Sequence, residues 1–250
     1  EKISYYDEFG KEHRVEKKKW VEKKLNPSIK ENWDNIEGLY PIVLDAFSKE
    51  AYSEVQEACF RIYSLDKNRE RKTNILGTYY IKTDSYDQAI EIYKKYISTG
   101  AASESIYVNY AIALEGAGRT WEAESAYLKA LKLNPNSVEA FRNYFKLIRR
   151  KGTQEYIRLL EKFSSEKGSW RAKLTLATDY FKRGDKNNGN KYLKEAFSNK
   201  RKSIANNLMK LGFSKDIIEN ALEKVGKTRL ARTEEFSVQE FIDFIGILEK

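Results

Sequence analysis

An all-α fold of stacked helical hairpins is predicted by three features of the sequence: a helix-favouring composition, an internal repeat of 34 residues, and apolar residues at helical spacing within each copy. Only three prolines and 13 glycines punctuate the 250 residues, against a dense background of Lys, Glu, Leu, Ile and Ala, which favour the helix. A repeat of this length supplies one hairpin per copy, and neighbouring copies bury a continuous core between them.

Residues 1–35 stand outside the repeat. Ile3 and Tyr5 alternate with polar neighbours, Asp7-Glu8-Phe9-Gly10 has turn composition, and His13 to Val15 offer a returning strand, so a small N-terminal β-hairpin is expected. Glu16 to Leu25 reads as a short basic helix carrying Trp20 and Val21, ended by Asn26-Pro27.

The repeat itself begins at residue 36. Leu76, Gly77 and Tyr80 precede Tyr86, Ala89, Tyr93 and Tyr96; one period later Tyr110, Ala111 and Leu114 precede Thr120, Ala123, Tyr127 and Ala130, closing with Pro135. Small residues at Ala111, Ala123 and Ala130 allow two helices to approach closely, and Tyr107, Tyr110, Leu114 and Tyr127 fill the space left on the same faces. Gly118 occupies the turn, where a left-handed conformation costs glycine little. A weaker copy at 36–69 carries Leu39, Ile42, Val43 and Ala46, then Tyr52, Val55, Cys59 and Ile62. Its first helix should begin near Pro41 or bend there, and Cys59 should be a buried core thiol.

These residues resemble the tetratricopeptide repeat (TPR), most specifically over 104–137. The resemblance implies a right-handed superhelix with a concave face. Further along, 138–169 keeps a good first helix in Phe141, Tyr144, Phe145 and Ile148, but its second helix, Gln154 to Phe163, lacks the small residues and the copy is about two residues short. The register returns at 170–203 through Leu176, Ala177, Tyr180, Gly184, Gly189, Leu193 and Ala196. About five repeats are expected across 36–203. Tyr5 to Gly10, Trp20, Leu25 and Pro27, with Gly168 to Ala172, are similar to a group of bacterial repeat proteins without assigned function, a likeness that brings no activity with it.

Residues 204–250 are expected to form a separate helical unit. Three short amphipathic helices are read at Ser203 to Leu211, Ser214 to Val225 and Ser237 to Leu248, with Ser214 and Ser237 as N-caps. They are expected to cap the open end of the stack. Leu208 to Ser214 also resembles the helix-loop of a ubiquitin-associated domain, which implies ubiquitin binding as an alternative.

Enzyme chemistry has little support. His13 and Cys59 are the only residues of their types, and no nucleophile elbow, zincin or P-loop motif occurs. No metal or cofactor is expected. No apolar run approaches the roughly 20 residues needed to cross a bilayer, and Glu1 to Tyr6 lack the features of a signal peptide, so a cytoplasmic location is expected. With 46 Lys and Arg against 37 Asp and Glu, the net charge of +9 favours acidic partners. The TPR resemblance implies a ligand on the concave face, where it projects Arg71, Asn74 and Lys82, then Arg142, Lys146, Arg149 and Arg150, then Arg171, Phe181 and Lys182. Arginine suits bidentate capture of a carboxylate or phosphate. The expected function is a scaffold that holds an acidic protein segment; the alternative is nucleic-acid binding, to which Lys17 to Lys19 and Lys200 to Lys202 would add.

Overall fold

The computed structural model describes residues 2–6, 12–16, 26–165, 169–196, 203–210, 213–232 and 235–248. Strands β1 (Lys2–Tyr6) and β2 (Glu12–Glu16) pair antiparallel, with Ile3 opposite Val15 and Tyr5 opposite His13. The turn composition at 7–10, Trp20 and both lysine-rich stretches lie outside the described residues. Helices follow: α1 (Pro27–Glu31), α2 (Ile36–Ser48), α3 (Gln56–Leu65), α4 (Arg69–Lys82), α5 (Tyr86–Ile97), α6 (Glu104–Gly116) and α7 (Thr120–Leu133). After these come α8 (Val138–Arg149), α9 (Thr153–Ser165), α10 (Trp170–Lys182), α11 (Lys186–Ala196), α12 (Ile204–Lys210), α13 (Lys215–Lys224) and α14 (Val238–Leu248). The chain divides into two compact units, residues 1–147 and 148–250.

In the first unit α2 pairs with α3, α4 with α5, and α6 with α7. Ala111, Ala123 and Ala130 are fully buried, as are Tyr93 and Tyr127, so small and large residues interlock on facing helices. At the α4–α5 crossing a Cβ on Gly77 would fall 2.3 Å from Cζ of Tyr93. Only a bare backbone allows the ring to lie there. The first helix of the 36–69 copy, α2, begins at Ile36, so Pro41 lies inside it. Its missing N–H removes one bond to the carbonyl of Glu37, and Leu39, Tyr40, Val43 and Ala46 still bury the helix against its neighbours.

The turns keep the period in their dihedrals. Left-handed residues occur at Glu50 (φ 58°), Asp84 (φ 56°), Gly118 (φ 74°), Gly152 (φ 124°) and Gly184 (φ 80°), spaced by 34, 34, 34 and 32 residues. The last interval places the two missing residues of 138–169 between the turn after α8 and the turn after α10.

Polar contacts join successive hairpins. Ser103 caps α6 by accepting from the Ile106 N–H, and donates its hydroxyl to Glu70 at 2.6 Å. One repeat later Ser137 accepts from the Ala140 N–H and donates to Glu104. Each serine therefore satisfies an orphan donor of its own helix and a carboxylate of the preceding hairpin.

In the second unit α10 and α11 pack together, and α12, α13 and α14 close over them around Leu174, Phe181, Leu208, Ile218, Phe241 and Phe244. Ser214 caps α13. Ser237 and Glu240 form a reciprocal capping box at the start of α14.

Candidate interaction surface

On α4, Arg71 is held by its own fold. Its Nε donates to Asp66 at 2.8 Å, its two Nη groups donate to Glu37 at 2.6 and 3.1 Å, and the guanidinium lies 4.3 Å from the Tyr40 ring centroid. The Tyr40 hydroxyl donates to Asp66 at 2.6 Å. Burial pulls the Asp66 carboxyl upward, but the bonds from Arg71, Tyr40 and the Asn68 N–H outweigh it and leave it below the ordinary aspartate value. The Arg71 hydrogen bond likewise holds Glu37 low, and burial followed by the Asp66 bond drives the Tyr40 hydroxyl up. A ligand carboxylate reaching Arg71 would have to displace one of two internal partners. Neither Glu37 nor Asp66 was legible as that partner, although Glu37 stands one full period before Arg71.

Asn74, one turn along α4, accepts from the Asn109 side chain at 3.0 Å and faces Ser105 at 3.4 Å. Arg71 and Asn74 share an open cavity of about 520 Å³ with Tyr40 and the exposed Leu44. Lys82, at the far end of α4, is exposed near the Tyr52 ring.

Arg142, Lys146, Arg149 and Arg150 stand at i, i+4, i+7 and i+8 along α8 and its last turn, and all four are exposed. That spacing puts them on one helix face. Arg142 and Lys146 form no ion pair among the described residues. Arg149 donates to the Tyr156 hydroxyl at 2.7 Å and approaches Asp179 at 3.3 Å.

The remaining expected positions divide. Lys182 is exposed, but Arg171 and Phe181 are each only 6% exposed. Arg171 lies over Trp170 and beneath Phe213, 4.6 and 5.8 Å from their centroids, while Phe181 meets Phe241 edge-on and covers Gly189. Both are covered because α12 to α14 fold back onto α10, which helical position alone cannot reveal. Phe213, which the ubiquitin-associated resemblance places on an exposed turn, packs on Trp170 at 5.3 Å; Leu211 and Gly212 lie outside the described residues. Cys59 is fully buried, and burial pushes its thiol up.

Helical hairpins in 34-residue register, tied by recurrent turns and caps, define a helical-repeat protein. Residues 74–99 and 104–137 match the family model described as tetratricopeptide repeat, so the chain carries tetratricopeptide repeats in that segment. Ribosomal RNA small subunit methyltransferase A of Fusobacterium nucleatum subsp. nucleatum is 49% identical over 59 residues, which is 24% of this chain. The chain spans 22% of that relative's length. Among solved structures, MamA is similar at 23% identity with a TM-score of 0.43, over 63% of this chain and 93% of that one. YrrB, described as a TPR protein with an unusual peptide-binding site, is similar at 16% identity and the same TM-score, over 68% of this chain and 89% of that one. Among the described residues no helix is long and apolar enough to cross a membrane.

Proposed function

We propose that the chain is an interaction scaffold that holds an acidic segment of another protein along α8. The observation that carries this reading is the row of cations on one face of that helix, in which Arg142 and Lys146 are exposed and without an internal carboxylate among the described residues. Unpaired cations incur no cost of breaking an existing ion pair when a carboxylate arrives, in contrast to Arg71. The test is affinity capture from a source-cell lysate after nuclease treatment, using the full chain and an Arg142→Glu/Lys146→Glu variant. A protein retained by the wild type should be lost by the variant while the thermal midpoint stays unchanged, since surface changes of this kind stay within about 0.5 kcal/mol. Equal capture by both proteins would remove α8 from the site.

A second reading is RNA binding. It is supported by the net charge of +9 and by the 59-residue likeness to a protein whose name specifies ribosomal RNA as its substrate. On this reading, material captured by the wild type disappears on nuclease treatment, and affinity falls steeply with salt because bound phosphates release counterions.

A further inference from the structure

The first unit carries two grooves of equivalent construction, one repeat apart, on the side where second helices meet first helices. The first lies between the end of α3, the start of α4 and the end of α5, with a volume of about 410 Å³. Arg69, Lys72 and Lys95 converge on it between Tyr63 and Tyr96, and no carboxylate lines it among the described residues. The second, about 200 Å³, lies between α5, α6 and α7 and is lined by Lys94, Lys129, Tyr107, Tyr110 and Trp121. Lys95 and Lys129 are 34 residues apart and hold the same place in successive grooves. Glu122 also lines the second groove, and Arg119 already clamps it through two bonds of 2.7 Å.

Two further properties distinguish these grooves from an ordinary solvated face. Arg69, Lys95 and Lys129 are exposed and form no ion pair among the described residues, and burial pushes the Lys72 ammonium below its ordinary value, with Asp66 pulling it up and Arg69 pushing it down. A phosphate placed among these cations would pair with them without displacing an existing partner of Arg69, Lys95 or Lys129. Trp121 is 76% exposed on the rim of the second groove, an apolar area that a folded monomer gains nothing by presenting to water.

We propose that these two grooves together form a track for single-stranded RNA, with phosphates against Arg69, Lys72 and Lys95 in the first and Lys94 and Lys129 in the second, and a base stacked on Trp121. Cations interleaved with aromatic faces are what an unpaired strand requires, because its phosphates and its bases are accessible together. An acidic peptide would use the cations and leave Trp121 without a partner. The inference rests on the RNA reading and gives it a location separate from the α8 row.

The test measures binding of the full chain to a fluorescently labelled oligouridylate of about 16 nucleotides at salt from about 50 to about 200 mM. Three variants are compared: Arg69→Glu/Lys95→Glu/Lys129→Glu; the charge-matched Lys30→Glu/Lys186→Glu/Lys224→Glu, also at exposed positions; and Trp121→Ala. The groove variant should lose at least about tenfold more affinity than the charge-matched one, and its salt slope should be shallower by about 0.7 for each phosphate contact removed. Trp121→Ala should weaken binding by roughly fivefold or more. If the wild type fails to bind, the RNA reading and the track fall together. If it binds and the groove and charge-matched variants lose affinity equally, RNA binding stands and the track is overturned. Unchanged affinity in Trp121→Ala removes the stacked base. Circular dichroism of each variant distinguishes lost binding from lost fold.

Discussion

Arg71, Asp66 and Glu37 make one ionic cluster whose response to acid follows from its pKa directions. Both carboxyls lie below their ordinary values in the folded chain, so the stability they contribute is present above the unfolded value of about 4 and is lost as pH falls through the lower folded values. The urea midpoint of the wild type should therefore fall steeply below about pH 4. Asp66→Asn should start lower at neutral pH, by about 1–3 kcal/mol, because Arg71 loses a charged partner and one of the two oxygens that accept from Arg71, Tyr40 and the Asn68 N–H becomes an amide donor, and should then fall less steeply. Parallel acid profiles would show that Asp66 contributes nothing to the transition. Gly77 is a second position where one atom matters. With Tyr93 Cζ 2.3 Å from the missing Cβ, Gly77→Ala should destabilise the chain by about 1–3 kcal/mol through overpacking, despite alanine's better helix propensity; a raised thermal midpoint would show that the helices can separate at no cost.

At the scale of helices and turns, the recurrent left-handed residue is the most regular feature of the chain. Gly118, Gly152 and Gly184 adopt it without a side-chain clash, whereas Glu50 holds φ at 58° with a Cβ. Glu50→Gly should stabilise the first unit by about 1 kcal/mol, read as a higher thermal midpoint; a lower midpoint would mean that the extra freedom of glycine in the unfolded chain outweighs the relief. The hairpin cores were legible because their residues face neighbours 34 positions away that repeat the same pattern. Ala111, Ala123 and Ala130 could be assigned from spacing alone, since close helix approach demands a small residue wherever it recurs. Pro41 stands inside α2 rather than at its start because its penalty is local, whereas the burial of Leu39 and Val43 that offsets it is tertiary. Arg171 and Phe181 are buried for a related reason: their partners Phe213 and Phe241 come from a segment outside the repeat, so no periodic rule could place them.

Across the whole chain, the proposed recognition divides between a cationic helix face on α8 and the paired grooves of the first unit, and the two make opposite demands on a nuclease experiment. The residues on one face of each first helix do not reveal the grooves, although Lys95 and Lys129 carry the signal in their 34-residue separation. The same spacing appears in the serines that cap α6 and α8 while bonding to Glu70 and Glu104. Because one hydroxyl serves both the start of its own helix and the junction with the previous hairpin, neither can be lost alone. Order in one hairpin is thereby a precondition for order in the next, as in a one-dimensional lattice whose neighbours favour the same state. A break at Ser103 should therefore spread as a domain wall along the stack, melting whole hairpins together where a frayed helix end would otherwise have sufficed.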